Sequence, residues 1–133
     1  MTKVPVLVTG GAGYIGSRFA IPEGVPFYQG DIEDAALVAR IIAEQGVKAI
    51  MHFAGSVVVP ESVENPLKYY HNNTVKSRAL IESAVQGGVP HFIFSSTAAT
   101  YGMPDVSRVD ETCPQRPINP YGMSKLMTEA MLA

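Results

Sequence analysis

The sequence predicts an α/β domain of three layers, a parallel sheet with helices on both faces. Short runs of apolar, often β-branched residues alternate with longer stretches of helical apolar spacing, the pattern of strands joined by crossover helices. The residues suited to chemistry fall at the carboxyl ends of those runs, where ligands collect in open parallel sheets. A length of 133 residues, 47% hydrophobic and 17% charged, is enough for a single core-forming domain spanning 1–133.

Val4 to Thr9 reads as a buried parallel strand, and Gly10-Gly11-Ala12-Gly13-Tyr14-Ile15-Gly16 follows at once. A helix should open near Tyr14 and run two turns at most, because Pro22 and Pro26 lie just beyond Ala20. Val25 to Gln29 is expected as a short strand. Asp31 to Asp34 then supplies capping residues for a helix whose apolar face is Leu37, Val38, Ile41 and Ile42 and which ends at Gly46. Lys48 to Phe53 is the next strand. Pro66 can start one long helix running through Tyr70, Val75, Leu80 and Ile81 to Gly87-Gly88. His91 to Ser95 is a further strand ending in Ser96 and Thr97, and a Pro-rich loop from Gly102 to Pro120 leads into a last helix bearing Tyr121 and Lys125. No internal repeat or low-complexity segment is present.

A formal charge of −2, with Lys and Arg scattered singly, provides no basic surface for nucleic acid. Cys113 is alone, which excludes an internal disulfide and suits a reducing compartment. With neither a signal-like segment nor an apolar run long enough to span a membrane, the expected location is the cytoplasm. Asn72-Asn73-Thr74 matches a glycosylation acceptor by chance in such a protein. His52, His71 and His91 lack metal-ligand spacing, so no metal site is assigned and each is read as packing or surface. Met123, Met127 and Met131 recur every four residues, fitting either core packing or a helix–helix subunit interface.

Gly10, Gly13 and Gly16 between a strand and a helix permit a tight turn and let backbone N–H groups approach a pyrophosphate at the helix N-terminus. Asp31 could accept hydrogen bonds from an adenine amino group or a ribose hydroxyl, or simply cap the next helix. Phe53-Ala54-Gly55 ends a strand with small residues that let a flat cofactor lie close. Tyr121 and Lys125 share one helix face, where an ammonium favours the phenolate and fits the phenol for acid/base work. Thr97 or Ser96 would hydrogen-bond the reacting oxygen.

Thr9-Gly-Gly-Ala-Gly-Tyr-Ile-Gly16, Gly30-Asp31-Ile32, Phe53-Ala54-Gly55, Pro60-Glu61-Ser62-Val63, Tyr69-Tyr70-His71-Asn72-Asn73, Phe94-Ser95-Ser96-Thr97-Ala98, Tyr101-Gly102 and Tyr121-Gly-Met-Ser-Lys125-Leu126-Met127 cover nearly the whole chain in order. On these motifs the chain resembles the extended short-chain dehydrogenase/reductases, and within them the UDP-glucose 4-epimerases. The resemblance implies a Rossmann-like domain and an NAD that takes a hydride from C4 of a UDP-hexose, leaving a 4-keto sugar that turns over and receives the hydride on its other face. It implies Tyr121 as acid/base, Lys125 as its electrostatic partner and a ribose ligand, and Thr97 as the catalytic Ser/Thr. Gly10, Gly13, Tyr14, Ile15 and Gly16 would lie at the pyrophosphate, Asp31 and Ile32 at the adenine, Phe53, Ala54 and Gly55 along the cofactor, and Asn72 near its nicotinamide half. It further implies homodimers formed through the last two long helices.

The chain departs from the family pattern in three places. Val57 stands where many epimerases carry a cofactor-contacting Lys. Between Ala20 and Ile21 the family has about thirty more residues, including a second strand ending in the acid that holds the adenosine ribose. The expected domain is therefore incomplete, lacking that strand and the C-terminal region that grips the UDP-sugar. The shortened connection predicts that Val25 to Gln29 pairs directly beside Val4 to Thr9 and carries Asp31 toward the place of the absent ribose-binding acid. Two function classes follow: an NAD-dependent sugar-nucleotide epimerase, dehydratase or reductase, or a non-catalytic dinucleotide-binding or subunit-interaction module. Little or no epimerase turnover is expected from this chain alone, because an open site does not exclude water from a ketone intermediate.

Overall fold

The computed structural model describes residues 4–13 and 23–133. In chain order the elements are β1 (Val6–Thr9), α1 (Ala35–Gln45), β2 (Ala49–His52), α2 (Val59–Glu64), α3 (Pro66–Tyr69), a π-helical segment (Tyr70–Val75), α4 (Lys76–Gln86), β3 (His91–Phe94), a 3-10 turn (Ala98–Tyr101) and α5 (Pro120–Leu132). The helix expected near Tyr14 lies outside the described residues. The chain divides into two compact units, Met1–Gly55 with Lys76–Ser95, and Ser56–Val75 with Ser96–Ala133.

The first unit is a parallel sheet of order β1-β2-β3 in which Leu7, Ile50 and Phe92 stand in register. Its core joins Val38, Ile41 and Ile42 of α1 to Val47, to Ile50 of β2 and to Leu80 and Ala84 of α4. Each buried Val, Leu or Ile among them contributes about 1.5–3 kcal/mol relative to exposure. Helix α1 forms where its caps dictate. The Asp34 carboxylate accepts the Leu37 N–H at 3.0 Å, and Gly46 closes the other end in the left-handed conformation.

One polar chain crosses this core. His52 is fully buried, its Nδ1 lying 2.7 Å from the Thr9 hydroxyl and its Nε2 2.8 Å from the Ser77 hydroxyl. A neutral imidazole has one donor and one acceptor nitrogen, so a single side chain satisfies hydroxyls on β1 and α4 together. Phe92 and Phe94 pack against its ring.

The expected strand at Val25 to Gln29 does not form, and the proposed pairing with β1 is absent: the segment is irregular and β1 pairs with β2. Pro26 has no N–H to give a ladder, and Val25 and Phe27 stay exposed, so neither hydrogen bonds nor burial favour strand geometry. Tyr28 alone turns inward to the core margin, its hydroxyl accepting a hydrogen bond from Gln45.

In the second unit α5 packs against the π segment, the 3-10 turn, α2 and α3. The expected long helix from Pro66 is helical to Gln86 but widens to π geometry over Tyr70–Val75. The widening coincides with Asn73, which is 1% exposed. Its carbonyl accepts the Ser56 N–H at 2.7 Å, and its amide donates to the Ser56 carbonyl at 2.9 Å and to the Ser124 hydroxyl at 3.1 Å. A buried amide costs about 1–3 kcal/mol for each group left unpaired, so this register wins over an unbroken α-helix. Helix α2 was not anticipated; Pro60 occupies its first turn. Met127 and Met131 are 42% and 37% exposed, so core packing does not account for them.

His52→Leu should lower stability by about 2–4 kcal/mol, because it strands the Thr9 and Ser77 hydroxyls in the core. Urea denaturation checks this, and an unchanged midpoint would contradict it.

Candidate active site

In the first unit, the loop after β1 runs against the end of β2. Gly10 has φ +69°, and a Cβ there would meet the Ala54 nitrogen at 2.8 Å, so both conformation and space demand glycine. Gly13 N–H closes the turn on the Gly10 carbonyl at 2.8 Å. Phe53, Ala54 and Gly55 continue from β2 beside it, with Phe53 N–H donating to the Thr9 carbonyl at 3.2 Å. The result is a strip of backbone with no side chain at Gly10, Gly13 or Gly55. Tyr14, Ile15 and Gly16 lie outside the described residues.

Asp31 is exposed and doubly engaged: one carboxylate oxygen accepts the Glu33 N–H at 3.2 Å and the other pairs with the Lys76 ammonium. Lys76 also lies 3.5 Å from the Glu33 carboxylate. The hydrogen bond from Lys76 is the main cause holding the Asp31 carboxyl below its usual range, and the same bond raises Lys76. Helix capping falls to Asp34. Ile32 is half-buried and packs on the hydrophobic core. Sequence reasoning missed Lys76, whose separation from Asp31 gives no local signal.

In the second unit, Asn119 caps α5 by accepting the Gly122 N–H at 2.8 Å, and Pro120 occupies the first turn. Tyr121, Lys125 and Glu129 follow at four-residue intervals, which places them along one helix face. Gly122 brings the start of that helix onto the 3-10 turn: a Cβ there would meet the Ala99 carbonyl oxygen at 2.5 Å and Pro117 Cβ at 3.0 Å. Thr97 begins the same turn, its hydroxyl accepting the Ala99 N–H at 3.2 Å. The helix of Tyr121 and the turn of Thr97 are thus in direct contact.

The two hydroxyls left open by the sequence are distinguished here. Ser96 donates its proton to the Glu129 carboxylate. The Thr97 hydroxyl proton has no acceptor among the described residues, so Thr97 is the one equipped to donate outward. Asn72, on the π segment, is half-buried and donates to the Ser56 hydroxyl at 3.1 Å.

Lys125 is 4% exposed, and burial pulls its ammonium down to about 8 from 10.5. The Tyr121 ring meets Tyr69 edge to face, with centroids 6.4 Å apart. Tyr69 is itself fully buried, its hydroxyl in contact with the Val58 carbonyl and the Glu61 carboxylate, both at 2.7 Å. Burial first, and then the Glu61 carboxylate, push the Tyr69 phenol up and keep it neutral. Chemically, the unit offers a phenol beside a desolvated amine and a hydroxyl with a proton to give.

A glycine turn at the carboxyl end of β1, in a parallel sheet joined by crossover helices, is the arrangement of a Rossmann-like α/β fold. The NAD dependent epimerase/dehydratase family matches residues 17–133, and the chain belongs to it. A UDP-glucose 4-epimerase of Azospirillum brasilense is 49% identical over 150 residues, covering 96% of this chain and 43% of the relative. The structure of the UDP-Glc/GlcNAc 4-epimerase from Campylobacter jejuni matches with a TM-score of 0.90 at 42% identity, over 98% of this chain and 48% of that one. UDP-glucose 4-epimerase from Brucella ovis, in complex with NAD, matches with a TM-score of 0.91 at 37% identity, over 98% and 47%.

The chain spans about half the length of the curated relatives it matches. The stretch aligned with the Azospirillum protein is longer than this whole chain, so that relative carries internal residues with no counterpart here. Among the described residues no helix is long and apolar enough to cross a membrane, and no group of side chains could hold a metal ion.

Because the buried Lys125 amine is a weaker base in the folded chain than in the unfolded one, its protonation opposes folding. That cost, a few kcal/mol, is full below about 8, fades as pH rises from there to 10.5, and is gone above. Lys125→Met is expected to raise the melting temperature by several degrees at neutral pH, with the advantage narrowing across that window. A pH-independent difference in melting curves would contradict this.

Proposed function

We propose that this protein is the cofactor-binding and acid/base part of an NAD-dependent UDP-hexose 4-epimerase, interconverting UDP-glucose and UDP-galactose. The observation that carries the proposal is the contact of the Tyr121–Lys125 helix with the Thr97 turn, in a chain whose relatives bear that activity in their names.

The Gly10 to Gly13 turn fits a dinucleotide, since the Ala12 methyl is its sole side chain and a tight glycine turn lets backbone N–H groups approach a pyrophosphate. Gly10, Gly13, Tyr14, Ile15 and Gly16 would hold the pyrophosphate, Asp31 and Ile32 the adenine end, Phe53, Ala54 and Gly55 the length of the cofactor, and Asn72, Tyr121 and Lys125 its nicotinamide half. NAD bound there supplies the acceptance and return of a hydride at sugar C4. Tyr121 takes the proton from the sugar O4 hydroxyl and later gives it back. Lys125, whose amine burial shifts toward neutrality, stands one helical turn from Tyr121 on the same face as its electrostatic partner and a ribose ligand. Thr97 gives its proton as a hydrogen bond to the same sugar oxygen and orients it. Lys76 keeps Asp31 a carboxylate and fixes its rotamer.

The same proposal places the protein in the cytoplasm, in keeping with its lone Cys113, and has it form homodimers through its long helices, with Met127 and Met131 exposed on α5. A second reading, a dinucleotide-binding module without catalysis, makes a different prediction in one experiment. The purified protein is titrated with NAD by calorimetry, then mixed with UDP-galactose while reduced-nicotinamide absorbance is followed. We expect saturable NAD binding and, with sustained epimerase turnover still little or none, a slow UDP-galactose-dependent absorbance rise from a single reduction of bound NAD, which Tyr121→Phe slows about 10²–10⁴-fold. NAD binding with no sugar-dependent reduction would favour the module, and absence of NAD binding would defeat both.

A further inference from the structure

Glu129 belongs to none of the roles above, yet both of its carboxylate oxygens are committed. One accepts the Ser96 hydroxyl proton and the other accepts the Gln115 amide at 2.6 Å. The same Gln115 nitrogen donates to the Thr100 hydroxyl at 3.3 Å, and that hydroxyl donates to the Thr97 carbonyl at 2.9 Å. Ser96 is bonded through the backbone to Thr97, so the chain of contacts closes into a ring: Glu129, Ser96, Thr97, Thr100, Gln115 and back. Glu129 is the one carboxylate in that ring, and bonds to a carboxylate are its strongest links. It also stands one helical turn beyond Lys125 and two beyond Tyr121 on the same face of α5.

We infer that Glu129 is a positioning residue, which ties the Thr97 turn to the helix carrying Tyr121 and Lys125 through Ser96 and Gln115. Gly122 sets how closely the start of α5 approaches this turn, and Glu129 sets the turn's lateral position from two helical turns away. The Ser96 hydroxyl, engaged by Glu129, is the handle, while the Thr97 hydroxyl stays free to meet a sugar oxygen. Glu129 touches no reacting atom. Its removal releases the turn, and a displacement of about 1 Å at a reacting group costs up to roughly 100-fold in rate.

The catalytic half of this inference rests on the epimerase reading, so its test has two arms. The first needs no turnover: hydrogen–deuterium exchange of the full chain, comparing wild type with Glu129→Ala, Glu129→Gln and Ser96→Ala. In both alanine variants amide exchange over residues 97–101 should speed up about tenfold, with β1, β2 and β3 unchanged. Glu129→Gln, which keeps a carbonyl acceptor for Ser96, should fall between. Unchanged exchange in the turn, or faster exchange spread equally over the strands, would overturn the inference. The second arm follows reduction of bound NAD by UDP-galactose. Glu129→Ala should slow it about 10-fold to 100-fold with NAD affinity within twofold of wild type, and should cost nothing further in a Thr97→Ala background. Additive losses in that double variant would show that Glu129 does not act through Thr97. A wild-type protein that binds NAD without reducing it refutes the epimerase reading, and the exchange arm still decides whether Glu129 holds the turn.

Discussion

Asn73 is buried, and a buried side-chain amide has to be hydrogen-bonded on every side; most of the second unit follows from that requirement. Its partners are fixed: both backbone groups of Ser56 and the hydroxyl of Ser124. Ser124 lies between Tyr121 and Lys125, so satisfying Asn73 also sets the rotation of α5. The backbone repeats the tie, because Thr128 donates to the Asn73 carbonyl at 3.0 Å and Thr74 donates to the Ser124 carbonyl at 3.1 Å. A helix held by hydrogen bonds has one register, where one held only by aliphatic packing could slide at lower cost. The π segment is the local geometry that lets Asn73 reach these partners.

That fixed register makes a buried lysine tolerable. Taking an ammonium out of water is unfavourable, and an unconstrained helix would rotate to return Lys125 to solvent. The interface opposes that rotation, and the energy appears as a weakened base beside a phenol. Fold stability and proposed function therefore pull against each other at one residue, the usual mark of a working site. The first unit contributes differently, through a bare backbone turn whose shape depends on glycine at position 10 and on the close passage of β2.

How far the sequence was legible depended on whether the signal was local. Helix α1 was readable end to end because Asp34 and Gly46 mark its caps and Leu37 to Ile42 carry the period. The strands read well for the same reason. Val25 to Gln29 misled because its apolar composition resembles a strand, whereas pairing also needs N–H groups and a buried face, which Pro26 and the exposed Phe27 do not supply. The π widening over Tyr70–Val75 had no local signal, because it coincides with Asn73 reaching partners far away in the chain, Ser56 and Ser124. His52, Asn73 and Lys76 act through partners far away in the chain, and spacing rules carry no information about those. Glu129 was within reach: it continues the Tyr121, Lys125 interval by four more residues.

The relatives give the family and the name of a reaction, and the structure gives α5 a buried amine one helical turn from a phenol, on which the proposed chemistry rests. The account stands or falls on Lys125 being desolvated by a helix that is not free to turn. Carbon NMR of the Lys125 side chain, labelled at the carbon next to the amine, measures this directly. The account predicts a titration midpoint near 8, and a midpoint at the ordinary 10.5 would contradict it.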